Sequence, residues 1–186
     1  IKDRNVMPYE MLDFVQTQTQ LNGIVRYGGD IDLIRQLLAA GFPVIIERGY
    51  VNRSEGWMGH YGLIVGYDDA IREVTIPDTY LGVIKMGYDD IEMWWAQFDF
   101  IYLVVFPNER AQEVYDILGP QMDAEYNKQY TFDKVNARLY EQKERELFFA
   151  WYSRGSILVE MNDYWGAAQS FDEAFKIYAT LPEQER

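Results

Sequence analysis

A carboxylate held beside an imidazole fixes which ring nitrogen carries the proton, and so prepares a histidine to act as a general base. The chain has one histidine, His60, in the run Gly59-His60-Tyr61-Gly62-Leu63-Ile64. Two β-rich segments, Tyr61 to Tyr67 and Ile71 to Ile76, flank Asp68-Asp69-Ala70, which reads as a hairpin loop. A three-residue loop pairs Tyr67 with Ile71 and sets His60 opposite Asp78, with Cβ atoms about 4.5–5.5 Å apart. The same register lines that face with Ile64, Val74 and Ile76. A two-residue loop would send Asp78 to the opposite face, so the pairing depends on loop length.

A base needs a nucleophile or a substrate proton to act on. The chain contains no cysteine, so His60 can accept a proton but nothing beside it attacks as a thiolate. Ser54 and Ser153 are the serines to weigh, and neither stands at a helix start after an oxyanion glutamine. Asp68, Asp69 and Asp78 lack the alternating ligands and turn glycine of a calcium loop, and one histidine cannot build a zinc site. Asp30 and Asp32 read as a helix cap and a first-turn acid. No metal and no cofactor are expected.

Alternating short elements must position the pair. Pro8 to Thr19 reads as a helix with Pro8 in its first turn, and Leu21 to Arg26 as a strand ending at Gly28-Gly29. Asp30 caps a helix carrying Ile31, Ile34, Leu37 and Leu38, which Gly41 ends. Pro43 to Glu47 suits a buried strand, followed by a loop through Arg53, Ser54 and Gly56. Asp89 to Phe98 reads as a helix and Phe100 to Phe106 as an apolar strand stopped by Pro107.

Beyond Asn108 the β pattern stops, and helices begin with Val114, Ile117 and Leu118 on one face. Tyr126 to Glu146 supplies another helix through Phe132, Val135, Leu139 and Tyr140. From Phe148 to Pro182, the positions of Trp151, Gly155, Leu158, Ala167, Phe171 and Ala174 resemble a tetratricopeptide repeat. Small residues at Gly155, Ala167 and Ala174 would let two antiparallel helices approach, with Trp151, Leu158 and Phe171 filling the seam. Pro182 falls about one turn later than in the repeat, which implies a longer second helix. Tetratricopeptide arrays present a face to peptides or partner proteins, whereas a single repeat can serve only as a structural cap.

Composition narrows the partners. With 30 acids against 17 Lys and Arg, the net charge is −13. Such a chain lacks the cations that displace counterions from nucleic-acid phosphates and would avoid anionic membrane surfaces. No apolar run approaches the ~18 residues of a membrane-spanning helix. An apolar fraction of 48%, with fifteen Tyr and five Trp, indicates a folded core. Without cysteines, nothing in the sequence speaks to compartment.

Gly59-His60-Tyr61, Gly66-Tyr67-Asp68-Asp69, Pro77-Asp78 and Gly82 resemble the papain-like cysteine peptidase family thirty-nine, typified by bacteriocin-processing enzymes that cut leader peptides after a double glycine. Gly41-Phe42-Pro43-Val44-Ile45-Ile46, Tyr88, Trp95 and Phe98 resemble the same domain, so the likeness runs from about Pro8 to Pro107. The resemblance implies His60 as general base and Asp78 as the residue that orients it. It also implies a missing amino-terminal lobe bearing the nucleophilic cysteine and an oxyanion glutamine. No such role passes to Gln16, Gln18 or Gln20.

The resulting expectation is an α+β chain: a partial papain-like fold with a mainly antiparallel sheet over 1–107, then an all-α tetratricopeptide-like region over 108–186. Starting at Ile1, it reads as an excised piece of a hydrolase, inactive as it stands. The alternative is a non-catalytic peptide- or protein-binding module formed by a degenerate cleft and the helical repeat. With the nucleophile lobe missing, the face of His60, Asp78, Ile64, Val74 and Ile76 is expected to lie uncovered and to drive self-association.

Overall fold

The computed structural model describes residues 6–52 and 56–183, so Ser54 lies outside the described residues. The elements in order are α1 (Pro8–Gln18), β1 (Leu21–Arg26), α2 (Ile31–Ala39), β2 (Val44–Asn52), β3 (Gly56–Ile64), β4 (Gly66–Asp68), β5 (Glu73–Asp78), β6 (Gly82–Gly87) and α3 (Tyr88–Trp95). They continue with β7 (Tyr102–Pro107), α4 (Ala111–Leu118), α5 (Ala124–Arg138), α6 (Glu144–Glu160) and α7 (Tyr164–Thr180). The chain is thus α+β, and the strand pairings among the described residues are all antiparallel.

Two sheets share the strands. One has the order β1-β7-β2-β3 and the other β4-β5-β6. The chain passes from the first to the second at Val65, whose N–H donates to Thr75 O at 3.0 Å. This break and the next turn correct the register expected from sequence. The β4–β5 turn holds four residues, Asp69 to Arg72, with Arg72 left-handed at φ 54°, and Tyr67 pairs with Val74 rather than Ile71. Ile71 is exposed in the turn and does not begin the strand.

Burial follows from alternation along the strands. In β2, Val44 and Ile46 are fully buried on the face that meets α2, α3 and the second sheet, together with Ile64, Val74, Ile76, Ile91 and Trp95. The face carrying Ile64, Val74 and Ile76 is therefore the centre of the core, each of the three with 0% exposure. Contrary to the expectation, these three residues offer no uncovered apolar surface to drive self-association.

The helices after β7 pack back on this body. Val114 and Leu118 of α4 join its core. In α5, Asn127 accepts from Tyr27 N–H at 3.0 Å and donates to Tyr27 O at 2.8 Å, while Lys134 Nζ reaches Gly29 O at 2.6 Å. Ser153 of α6 donates to Ala96 O at 3.1 Å. Helices α6 and α7 pack on each other, with Leu158, Ala167 and Ala174 buried in the seam. A Cβ on Gly155 would stand 2.5 Å from the Phe171 ring, so only glycine allows the approach seen there.

Candidate functional site

Asp78 ends β5 at the point where the chain turns toward β6. Its Oδ1 accepts the N–H groups of Tyr80 at 2.8 Å and Leu81 at 2.9 Å, an Asx-type turn that fixes the carboxyl group. Its Oδ2 lies 2.6 Å from His60 Nε2 and 3.4 Å from Arg48 Nη2. The side chain is fully buried. Burial alone would raise its pKa, but the N–H groups of Leu81 and Tyr80, with His60, outweigh it and hold the carboxyl below the usual carboxylate range.

His60 comes from β3, and its side chain is 20% exposed. It meets Asp78 because β3 of one sheet packs against β5 of the other, not because the two residues pair across one hairpin. With Nε2–H donating to Asp78, a neutral ring keeps its lone pair on Nδ1, the nitrogen that can then take a proton. The Tyr50 ring lies 5.5 Å from the imidazole, tilted at 42°.

Sequence reasoning missed Arg48. The apolar run marks only Pro43–Glu47 as a buried strand, whereas β2 continues five residues further to Asn52, and Arg48 pairs with His60 across the β2–β3 ladder. The signal was the spacing: Val44, Ile46 and Arg48 alternate onto the same inward face. Arg48 is 2% exposed and donates to Gly49 O at 3.3 Å besides meeting Asp78. Burial lowers its pKa, and the Asp78 charge opposes that.

The remaining candidates serve elsewhere. Asp69 accepts from Arg35 at 2.7 Å and from Tyr88 OH at 2.8 Å, and Asp68 accepts from Ala70 N–H at 3.0 Å. Asp30 caps α2 through Leu33 N–H at 2.7 Å. Ser153 faces the Ala96 carbonyl, far along the chain from the His60 face. Among the described residues no group of three or more His, Cys, Asp and Glu side chains gathers to hold a metal ion, and no helix is long and apolar enough to cross a membrane.

No family model matches the chain, and no curated protein matches it. A solved structure described as a "putative C39-like peptidase from Bacillus anthracis" is similar to it at 18% identity, with a TM-score of 0.36, over 45% of this chain and 50% of its own. The chain therefore spans about half the length of that structure. A functional reading has to come from the side chains themselves.

Proposed function

We propose that this chain supplies the base half of a papain-like cysteine hydrolase site, with His60 as general base and Asp78 as the residue that orients it. The observation that carries the reading is the 2.6 Å contact between His60 Nε2 and a carboxylate that is itself buried and anchored by two backbone N–H groups. A carboxylate so fixed selects the Nε2–H tautomer and stabilises the imidazolium that forms when Nδ1 takes a proton. In the reaction, Nδ1 removes the proton of a thiol and the thiolate adds to the substrate carbonyl carbon. The imidazolium then protonates the leaving amine as the C–N bond breaks, and water releases the acyl group by the same route in reverse. Because these 186 residues hold no cysteine, the thiol would come from polypeptide outside them. We further take the α6–α7 pair, within the helical region 108–186, as a tetratricopeptide repeat, the crossing at Gly155 being its support.

The sole histidine makes the test direct, since the chain gives a single set of imidazole nitrogen resonances. We expect an Nε2–H tautomer that becomes a mixture in Asp78→Asn. The chain alone should hydrolyse no peptide or amide, and an extended protein should carry a cysteine whose alkylation by iodoacetamide slows at least about tenfold in His60→Ala. Turnover by the chain alone that disappears in His60→Ala would show that the nucleophile lies within it. The lack of cysteine also favours a second reading, a non-catalytic peptide- or protein-binding module, and an extended protein without a His60-dependent thiol would select it.

A further inference from the structure

On the opposite face of the main sheet from His60 lies a cavity of about 660 Å³ between β2, β3, the turn after α3, and helices α6 and α7. Consecutive residues of β2 separate the two sites: Arg48 points to His60, and Glu47 points into the cavity. The volume falls within the range of small-molecule sites.

Three carboxylates line it, Glu47, Asp99 and Glu160. Asp99 is 8% exposed, and its Oδ1 has no hydrogen-bond partner. A buried polar oxygen without a partner costs free energy unless something else meets it. The backbone is committed to placing it there, because Asp99 and Phe100 both sit in the left-handed region at φ 55° and 52°. Their carbonyls are held by Gly28 N–H at 2.9 Å and Gly29 N–H at 3.1 Å. The walls are aromatic: Trp57 stacks on Phe98 with ring centres 5.7 Å apart, and Phe149, Tyr152, Phe175 and Tyr178 complete the enclosure. Arg145 is the one cation among the described lining residues, its guanidinium 4.9 Å from the Phe149 ring centre.

We propose that this cavity binds a small organic cation with an apolar body, of the arylalkylamine class, its ammonium group meeting Asp99 and Glu160 and its body packing on the aromatic walls. Aromatic faces attract cations, and an ammonium group meeting Asp99 would favour its ionised form and release the proton that burial otherwise keeps on it. The proposal is independent of the His60 chemistry. A buried acceptor lacking a donor distinguishes it from a merely apolar pocket, which would select neutral ligands equally well.

Calorimetric titration of the chain with 2-phenylethylamine, 2-phenylethanol and 3-phenylpropionate at pH 7.5 tests it. The three probes have similar bodies and differ in charge. Saturable binding of the amine is expected, with the alcohol at least about tenfold weaker and the acid not binding. Asp99→Asn keeps the left-handed backbone accessible, and it and Glu160→Gln should each weaken the amine about fivefold or more. Phe175→Ala removes a wall residue that is 55% exposed, so it should fold normally and still weaken binding. Thermal melts establish that the variants are folded. Equal binding of amine and alcohol, no saturation by the amine, or unchanged affinity in folded Glu160→Gln and Phe175→Ala would overturn the proposal.

Discussion

Asp99→Asn should make stability less dependent on pH, and the change can be worked from the structure. Burial is the main cause that pushes the Asp99 carboxyl up to about 8 from its ordinary 3.8; the Ser153 hydrogen bond opposes it, and the Glu160 and Glu47 charges add to it. Between those two values the folded chain keeps a proton that the unfolded chain has already released. Stability from this group is therefore full below about pH 4, falls as pH rises toward 8, and is flat above it. Each pH unit inside the window is worth about 1.36 kcal/mol, which sets a ceiling of about 6 kcal/mol for the whole effect. Asparagine resembles the protonated acid in shape, tolerates the left-handed conformation at φ 55°, and does not titrate. Glu47 and Glu146 are also shifted upward by burial, but they stay in both proteins and largely cancel in the comparison. Urea unfolding of both chains at pH 5 and pH 7 should show the variant gaining about 2–3 kcal/mol relative to the parent over that interval. A difference that stays constant within about 0.5 kcal/mol would show that Asp99 is ionised and hydrated in the folded chain, and would refute the reasoning.

Asp78→Asn should destabilise the chain by about 3 kcal/mol at pH 7, because it leaves Arg48 buried without its counter-charge. Since the Asp78 pKa is depressed in the folded state, its contribution is present above the unfolded carboxylate value and lost as pH falls through the folded one. The parent and variant should thus converge in acid, and a gap that persists unchanged at low pH would contradict the ion-pair account. In the helical region, Gly155→Leu should destabilise by about 1–3 kcal/mol, since even a Cβ meets the Phe171 ring at 2.5 Å. Helix propensity gains at most about 1 kcal/mol in return. An unchanged or raised melting temperature would mean that α6 and α7 do not pack in this way.

Local signals were legible where they decide local structure. β1 spans Leu21–Arg26 as its residue types indicate, and α2 begins at its Asp30 cap and stops before Gly41 at φ 82°. β6 leaves little trace in the sequence because Gly82–Gly87 gives no alternation: among the described residues it pairs with β5 alone, and Val83 is 73% exposed. Ile71 has the composition of a strand and suggests a shorter turn after β4, whereas the left-handed Arg72 and the Tyr88 N–H donating to Arg72 O at 2.9 Å hold it in a longer loop. His60 and Asp78 are neighbours all the same, but through packing of two sheets that no hairpin rule anticipates. Asp99 carried no signal in the sequence, because its surroundings come from β2, α6 and the Gly28 turn, brought together only by the fold.

The position of β3 constrains how the two sites can be related. It is the outer strand of the four-stranded sheet, and Trp57, near its start, borders the cavity, while His60 lies three residues on and faces Asp78. Side chains an odd number of residues apart on a strand point to opposite faces, so the sheet itself separates the aromatic cavity from the imidazole. A peptide lying wholly within the cavity could not present its amide bond to Nδ1. The advance along the strand from Trp57 to His60 is only about 10 Å at 3.3 Å per residue. A small ligand held in the cavity thus stays on its own side of the sheet, and the two sites can be tested separately.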